Sequence, residues 1–420
     1  MSTIQRCVYP PDSILEDYIT IARTVSESAD CILIGSILPV SAAIMGRGVC
    51  LPWTKGSPYP NLYANLCGKP GDRKTTTIDL SEELAKACLP DEAFLPSDFS
   101  PEALFDEYDN SSGGRPDKLL LIEDANAILT DWQHSGQGQR NATRFLRLYD
   151  CKGFSEAYRR NQQPKKQQGT SPRRSIPETS TSIVFGSTFN VARFENQSVQ
   201  KGLQRRFLYY VAEELAREIN GPVLDLPKFK LICGKFSDLD RLSGAFKLSL
   251  GAKALFESFQ HDNRLRHNNG DPLDEAFLSR LATTPTHVLK VAMNFEACRS
   301  VKQVSNKLVV EESTLKLAID HVAECEKAVT MLDTIVARPV IHNDAEVILA
   351  GVRDRFKHLT ANGEIILSRT QLANRFANHG NRGITTDHLY GQIIPYLSQT
   401  GQVRVLPKAG RLEQYAFQTE

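Results

Sequence analysis

Asn65-Leu-Cys-Gly68-Lys-Pro-Gly71-Asp72-Arg73-Lys74-Thr75-Thr76-Thr-Ile-Asp-Leu80 carries an apolar run through two glycines into Lys-Thr and then into a helix-like pattern. A strand, a glycine-containing turn and a helix N-terminus aim backbone N–H groups at one point, where the helix dipole favours an anion. The stretch reads as a phosphate-binding loop, a variant of G-x-x-x-x-G-K-[ST]. Lys74 would bring a full charge to the β- and γ-phosphates of ATP, and the Thr75 hydroxyl would ligate Mg²⁺. Gly68, Gly71, Asp72, Arg73 and Thr76 complete the expected ATP-binding loop. Arg73 stands where the last glycine normally lets the backbone approach the phosphate, so its side chain must point away. Taken alone, the loop competes with a surface turn that holds Lys-Thr by chance.

Context comes from Asp117-Lys-Leu-Leu-Leu-Ile-Glu123-Asp124. Consecutive apolar residues ending in two acids describe a buried parallel strand that delivers carboxylates to a nucleotide, a Walker B pattern. The usual order in ring ATPases is Asp then Glu. Here it is reversed, so which acid holds the metal and which polarises the attacking water stays open between Glu123 and Asp124. A further strand at Ser182-Ile-Val-Phe-Gly-Ser187-Thr188-Phe-Asn190 turns abruptly polar, as a sensor strand would. Asn190 and Thr188 are its candidates, unless they only cap the next helix. Arg205 and Arg206 precede an apolar run. One of them would serve as a finger in a neighbouring subunit's site, the alternative being a solvated basic turn.

With these motifs in place, roughly residues 30 to 330 resemble the helicase-like ATPase domain of primase-helicases and replication proteins of phages, plasmids and other mobile elements. That domain is similar to the minichromosome maintenance branch of AAA+ ATPases. The resemblance is carried by the helical run before Pro60-Asn-Leu-Tyr63, the Arg73-Lys74-Thr75 form of the loop, Ser100-Pro-Glu-Ala-Leu104 ahead of the acidic strand, and Leu203-Gln-Arg205-Arg206-Phe207. It implies an α/β P-loop NTPase fold with a helical lid, ATP and Mg²⁺ as cofactors, and a homo-oligomer, expected as a hexamer. The run from Ser279-Arg280 to Lys290-Val-Ala resembles the lid helix that supplies a second sensor. The family usually has arginine where Lys290 stands, which leaves Arg280 as a rival for the ATP contact.

The chain's 420 residues exceed what one core normally supports. Its net charge of +1 does not advertise nucleic acid, so any basic surface must be local. Nine cysteines, with no C-x-x-C pair and no matching histidine spacing, indicate neither a zinc site nor a disulfide framework, and a reducing, cytoplasmic location is expected. The polar N-terminus excludes a conventional signal peptide. Cys31 to Gly46 is apolar but shorter than a bilayer span of about 20 residues. It reads as a buried helix under the sheet, and no membrane partner is expected.

Charge concentrates locally. Between Lys152 and Arg174 lie Lys152, Arg159, Arg160, Lys165, Lys166, Arg173 and Arg174 against the single acid Glu156. Such a stretch cannot build a core and is expected to form a mobile loop or hairpin. Related ring ATPases project a hairpin from this position into a central pore, where bases meet the phosphates of a threaded strand and Tyr158 would add stacking; a solvated loop is the alternative. After residue 340 the order helix, strand, helix, helix, β-hairpin reads as a winged helix, with the helix from Thr385 as recognition element and Lys408 and Arg411 on the wing. The expected layout is therefore an N-terminal helical segment (1–58), an ATPase core (59–225), a helical lid (226–337) and a winged-helix domain (342–420). The expected function is an ATP-driven DNA helicase or translocase acting on single-stranded or forked DNA. The alternatives are an ATP-dependent initiator or adaptor and a degenerate P-loop scaffold. No primase pattern is present, so priming is expected of a separate primase or polymerase.

Overall fold

The computed structural model describes residues 5–53, 57–97, 101–109, 117–157, 173–176, 178–192, 202–219, 221–270, 275–305, 307–356, 360–361, 364–377, 385–409 and 412–418. Two compact units divide the chain, Met1–Leu332 and Asp333–Glu420.

In chain order the first unit contains helices α1 (Ile14–Val25) and α2 (Asp30–Met45), strand β1 (Tyr63–Cys67), α3 (Lys74–Cys88), β2 (Lys118–Ile122), α4 (Asn126–His134), α5 (Gly136–Tyr149), β3 (Thr181–Ser187) and β4 (Phe207–Val211). Helices α6 (Leu226–Ser237), α7 (Leu250–Asn269), α8 (Glu275–Lys302) and α9 (Glu312–Arg355) follow, and α9 runs past the unit boundary in sequence. The four strands form one parallel sheet in the order β2-β3-β1-β4. Its register pairs Tyr63 with both Ile183 and Phe207, and Lys118 with Thr181. Every residue of β1, β3 and β4 is buried, which explains why these strands read as continuous apolar runs rather than alternating ones.

Each face is covered differently. Helix α2 is buried from Cys31 to Met45 and belongs to one apolar core with Ala64, Leu66, Val184, Leu208 and Tyr210. By length and hydropathy it resembles a membrane span, yet here it is enclosed by protein. Gly35 makes the approach to the sheet possible, because a Cβ there would lie 2.6 Å from the Tyr210 ring and 2.7 Å from Leu66. Aromatic rings cover the opposite face: Tyr63 lies 5.0 Å from Tyr149, Phe185 5.4 Å from Phe207, and Trp132 5.6 Å from Phe185, centroid to centroid.

Polar contacts tie the surrounding helices to one another. Asp17 of α1 forms ion pairs with Lys235 of α6 at 2.9 Å and Lys302 of α8 at 2.5 Å, and the Tyr18 hydroxyl lies 2.8 Å from that of Ser81 in α3. The segments expected as separate N-terminal, core and lid pieces share this one apolar core, from Ile14 through Val184 and Phe236 to Val322. At the β2 edge Phe94 adds an isolated parallel bridge to Leu119. At the β4 edge Gln5 donates its backbone N–H to Val211 O and accepts the Val211 N–H on its side-chain oxygen.

Between β2 and β3, Phe154–Ala157 pairs antiparallel with Arg173–Ile176. This hairpin stem stands where the basic loop was expected, and residues 158–172 lie outside the described residues.

In the second unit Glu364–Ser368 is followed by a helical stretch from Arg369 to Ala377, another from Thr386 to Gln399, and a hairpin of Val403–Ala409 with Leu412–Gln418. The first of these strands pairs antiparallel with Leu412–Gln418, from Glu364 opposite Gln418 to Ser368 opposite Gln414. Ile348, Val352, Leu367, Leu372, Leu389 and Phe417 form its core.

Gly35→Ala tests the contact of α2 with the sheet. Helix propensity favours alanine by about 0.5–1 kcal/mol, whereas overpacking costs about 1–3 kcal/mol. Urea unfolding should therefore show a net loss of stability, and an unchanged or raised midpoint would mean that the Tyr210 ring has room to yield.

Candidate functional site

The chain leaves adjacent strands β1 and β3 in opposite directions, toward β2 and across β1 to β4. In a parallel sheet such a switch point opens a crevice at the carboxyl ends of the strands. A cavity of about 400 Å³ lies there, lined by Pro70 to Thr76, Glu123, Asp124, Asn126, Gly186, Ser187 and Thr188. Three segments that the sequence marks independently thus converge on one space.

The loop is built by short-range constraints. Gly68 N donates to Ser187 O at 3.2 Å, which carries the ladder one step beyond β1. A side chain at Gly68 would meet the Asp72 carboxylate, which closes the turn by accepting the Lys69 N–H. Gly71 has φ +92°, a conformation that side chains rarely adopt. Arg73 is also left-handed, with φ 56°, directly before the first residue of α3. Its side chain does turn away, to an ion pair with Glu27 at 2.9 Å. Lys74 folds back over the loop and donates to Gly68 O at 3.0 Å and Lys69 O at 2.7 Å. Burial lowers the pKa of Lys74, and the neighbouring Asp72 opposes that shift. The Thr75 side chain is exposed at the crevice, free to meet a ligand.

The link between α1 and α2 braces this loop from behind. Ser28 Oγ donates to Asp72 O at 2.8 Å, and the Thr77 hydroxyl contacts Ser26 at 3.0 Å and Ser28 at 3.2 Å. Arg217, after β4, donates to Ser26 O at 3.1 Å and Ser28 O at 2.6 Å. Ser26, Glu27, Ser28 and Arg217 were not legible as site residues, because polar residues in a short connection give no local sign of their tertiary partner.

The acids arrive by a close crossing of strands. Ala125 N donates to Gly186 O at 2.7 Å, and a side chain at Gly186 would strike Glu123 O. Asn126 Oδ1 accepts from both the N–H and the hydroxyl of Thr188, at 3.0 and 3.1 Å. Thr188 is thereby fixed beside the acids, while the side chain of Asn190 lies outside the described residues. Burial raises the Glu123 carboxyl above its ordinary range, and Asp79 and Glu82 of α3 raise it further. Asp79, one turn beyond Thr75, is a further acid that the motifs did not single out.

The arginines lie elsewhere. Arg205 and Arg206 precede β4, and Phe207 is in register with Tyr63 at the start of β1. They therefore stand at the opposite end of the sheet from the loop, roughly 16 Å away along the strand. Arg206 is engaged by Asp150 at 3.0 Å and donates to Gly202 O at 2.8 Å, while Arg205 donates to Ser279 Oγ at 3.1 Å. Arg280 shares a small cavity with Arg205 at that same end, so neither reaches the crevice of its own chain.

The expected role of Lys290 is overturned. It is 2% exposed, and its ammonium donates to Asn61 O, Asn61 Oδ1 and Tyr149 O at 3.1, 2.7 and 3.0 Å. Burial presses its pKa down to about 8, so it keeps its proton at neutral pH, and three acceptors use all three N–H bonds. It ties α8 to the amino end of β1, at the opposite end of the sheet from the crevice.

Of the expected DNA contacts, Arg159, Arg160, Lys165, Lys166 and Arg411 lie outside the described residues. Arg173, Arg174 and Lys408 lie in described strands, but their side chains fall outside the description. Comparison with models of known protein families gives no match, and comparison with curated proteins gives none.

Lys290→Ala should leave nucleotide affinity unchanged and cost about 3 kcal/mol of stability, because three buried hydrogen bonds to a charged donor are lost together. Titration with a fluorescent nucleotide and denaturant unfolding read the two effects separately. A lost nucleotide affinity in a folded variant would restore the sensor role.

Proposed function

We propose that this chain is a P-loop ATPase that works on DNA as an oligomeric motor, a cytoplasmic helicase or translocase of a mobile genetic element. The convergence of the Gly68 to Thr75 loop, the Glu123–Asp124 pair and Thr188 on one crevice carries the reading. In it, backbone N–H groups and Lys74 hold the ATP phosphates, and Thr75 with one of the two acids holds Mg²⁺. The other acid orients the attacking water.

Phosphoryl transfer needs a cation where charge develops, and Arg205 and Arg206, ahead of β4, are at the far end of the sheet. The site is therefore completed by a second copy. Arg205 suits that role better than Arg206, whose guanidinium is already held by Asp150 and Gly202. Arg280 shares a small cavity with Arg205. DNA contact falls to the basic stretch from Lys152 to Arg174, raised on its hairpin stem, and to the C-terminal unit, whose helices and hairpin suit a winged helix.

ATP turnover with and without forked DNA tests the reading. Lys74→Ala should abolish nucleotide binding or turnover, and Arg205→Ala should abolish turnover while ATP still binds. Mixing the two variants should recover activity, because one oligomer then assembles some intact sites. Wild-type-like turnover in Lys74→Ala sinks the site, and turnover without strand displacement favours an initiator or adaptor.

The raised Glu123 carboxyl makes activity pH-dependent. As pH falls through its raised value Glu123 takes up a proton and loses its charge, so turnover declines on the acid side. Asp79→Asn removes a neighbouring negative charge, lowers the Glu123 pKa and should move that acid limb to lower pH. A limb that stays in place would assign the titration to another group.

A further inference from the structure

We propose that Glu27 is a positioning residue for the phosphate loop: it holds the Arg73 guanidinium outside the anion cradle and cancels its charge there. The inference rests on the nucleotide-binding reading of the crevice and adds a residue remote in sequence from every motif in it.

The geometry begins with the backbone. Arg73 takes a left-handed conformation at φ 56°, unfavourable for a residue with a Cβ. Its side chain is 58% exposed and is directed to Glu27. An arginine this exposed has many rotamers, and the favourable direction for a guanidinium beside a bound polyphosphate is inward. Glu27 opposes that swing with a 2.9 Å ion pair from Oε2 to Arg73 Nε.

Glu27 can do so because it is itself fixed. Its Oε1 accepts the Ile219 N–H at 3.4 Å, and its carbonyl accepts the Ala216 N–H at 3.0 Å. Its neighbours Ser26 and Ser28 are clamped by Arg217. The Arg73 guanidinium, and then the Ile219 N–H, hold the Glu27 carboxyl below its ordinary range, so the pair is charged on both sides at neutral pH. Lys74 and Arg73 are adjacent cations, yet only Lys74 folds over the loop. With Glu27 present the Arg73 charge is neutralised; without it, the loop gains one uncompensated positive charge. A second cation would retain ADP after hydrolysis, and a motor must release ADP to cycle.

The test is a double-mutant cycle on the full chain, with Kd for Mg²⁺-ADP measured by a fluorescent analogue. Glu27→Gln should tighten ADP by about fivefold at low salt, the effect of one unit charge about 8 Å from a phosphate at an intermediate dielectric. Arg73→Gly should weaken it by about the same factor, since Glu27 is then left bare. In the Arg73→Gly background Glu27→Gln should tighten ADP by clearly less than fivefold, because no guanidinium is left to swing inward, so the two changes are not additive. Raising salt from 50 to 500 mM should shrink both single-variant shifts, which a purely structural brace would not do. Weaker ADP binding in Glu27→Gln, in either background, would overturn the proposal, as would losses that simply add in the double variant. Wild type that binds ADP no better than Lys74→Ala would instead remove the nucleotide reading itself, leaving the two failures distinguishable.

Discussion

The hydrogen bonding of Thr181–Ser187 between the loop strand and the acidic strand is the constraint on which the crevice depends. It pairs Cys67 with Ser187 on one side and Ile122 with Phe185 on the other. Because all three strands run parallel, their carboxyl ends must emerge together, and the loop, the acids and Thr188 follow them. A parallel pair cannot be joined by a tight turn, so the long connections that cross between strands become the helices covering the faces. The same requirement makes the strands apolar on both faces. A sheet buried in this way has no solvent face for polar residues, so polarity gathers where the strands end, and Asn65 inside the loop strand is buried and accepts from the Ser187 hydroxyl.

Behind the loop, a second set of constraints fixes helix α3, which follows it. Helix α3 leans on α2 through Ser81, whose hydroxyl donates to Ser36 at 2.7 Å, and on the link before α2 through Thr77. The brace is polar although its surroundings are apolar, and each hydroxyl has a partner, as burial demands. Such a network is directional where hydrophobic contact is not. It fixes the rotation of α3 about its axis, and with it the aim of Lys74 and Thr75.

The sequence carried most of this fold where signals are local. Glycines at 68 and 71 mark the loop, the apolar run before Glu123 marks its strand, and Cys31 to Gly46 is long and apolar enough to read as a buried helix. The two-residue acid pattern and the abrupt polarity after Gly186 likewise survive as crevice residues. What was not legible depends on partners far apart in the chain. Lys290 sits at helical spacing among apolar residues, and nothing local distinguishes a lysine that reaches a phosphate from one that ties Asn61 to Tyr149. Glu27 lies in a four-residue connection with ordinary turn composition, and only the tertiary approach of Arg73 gives it meaning. The separate N-terminal and lid pieces expected from changes in pattern share one core for the same reason: composition shifts mark changes of element, while cores are decided by which apolar faces meet.

The ends of the sheet impose a last consequence on the proposed activity. The crevice opens at the carboxyl ends of the strands, and Arg205 precedes the amino end of an edge strand. No rotamer of an arginine spans that separation, since its extended side chain covers less than half of roughly 16 Å. If the arginine acts in catalysis, it acts on another copy, and the contact then joins two different surfaces of the same chain. Contacts of this head-to-tail kind repeat from copy to copy, closing into a ring when the rotation between neighbours permits and running on as a filament when it does not. Turnover in such an assembly is coupled to contact, because each site is complete only while its neighbour is in place. An opening at one boundary removes the cation from one crevice and leaves the others intact.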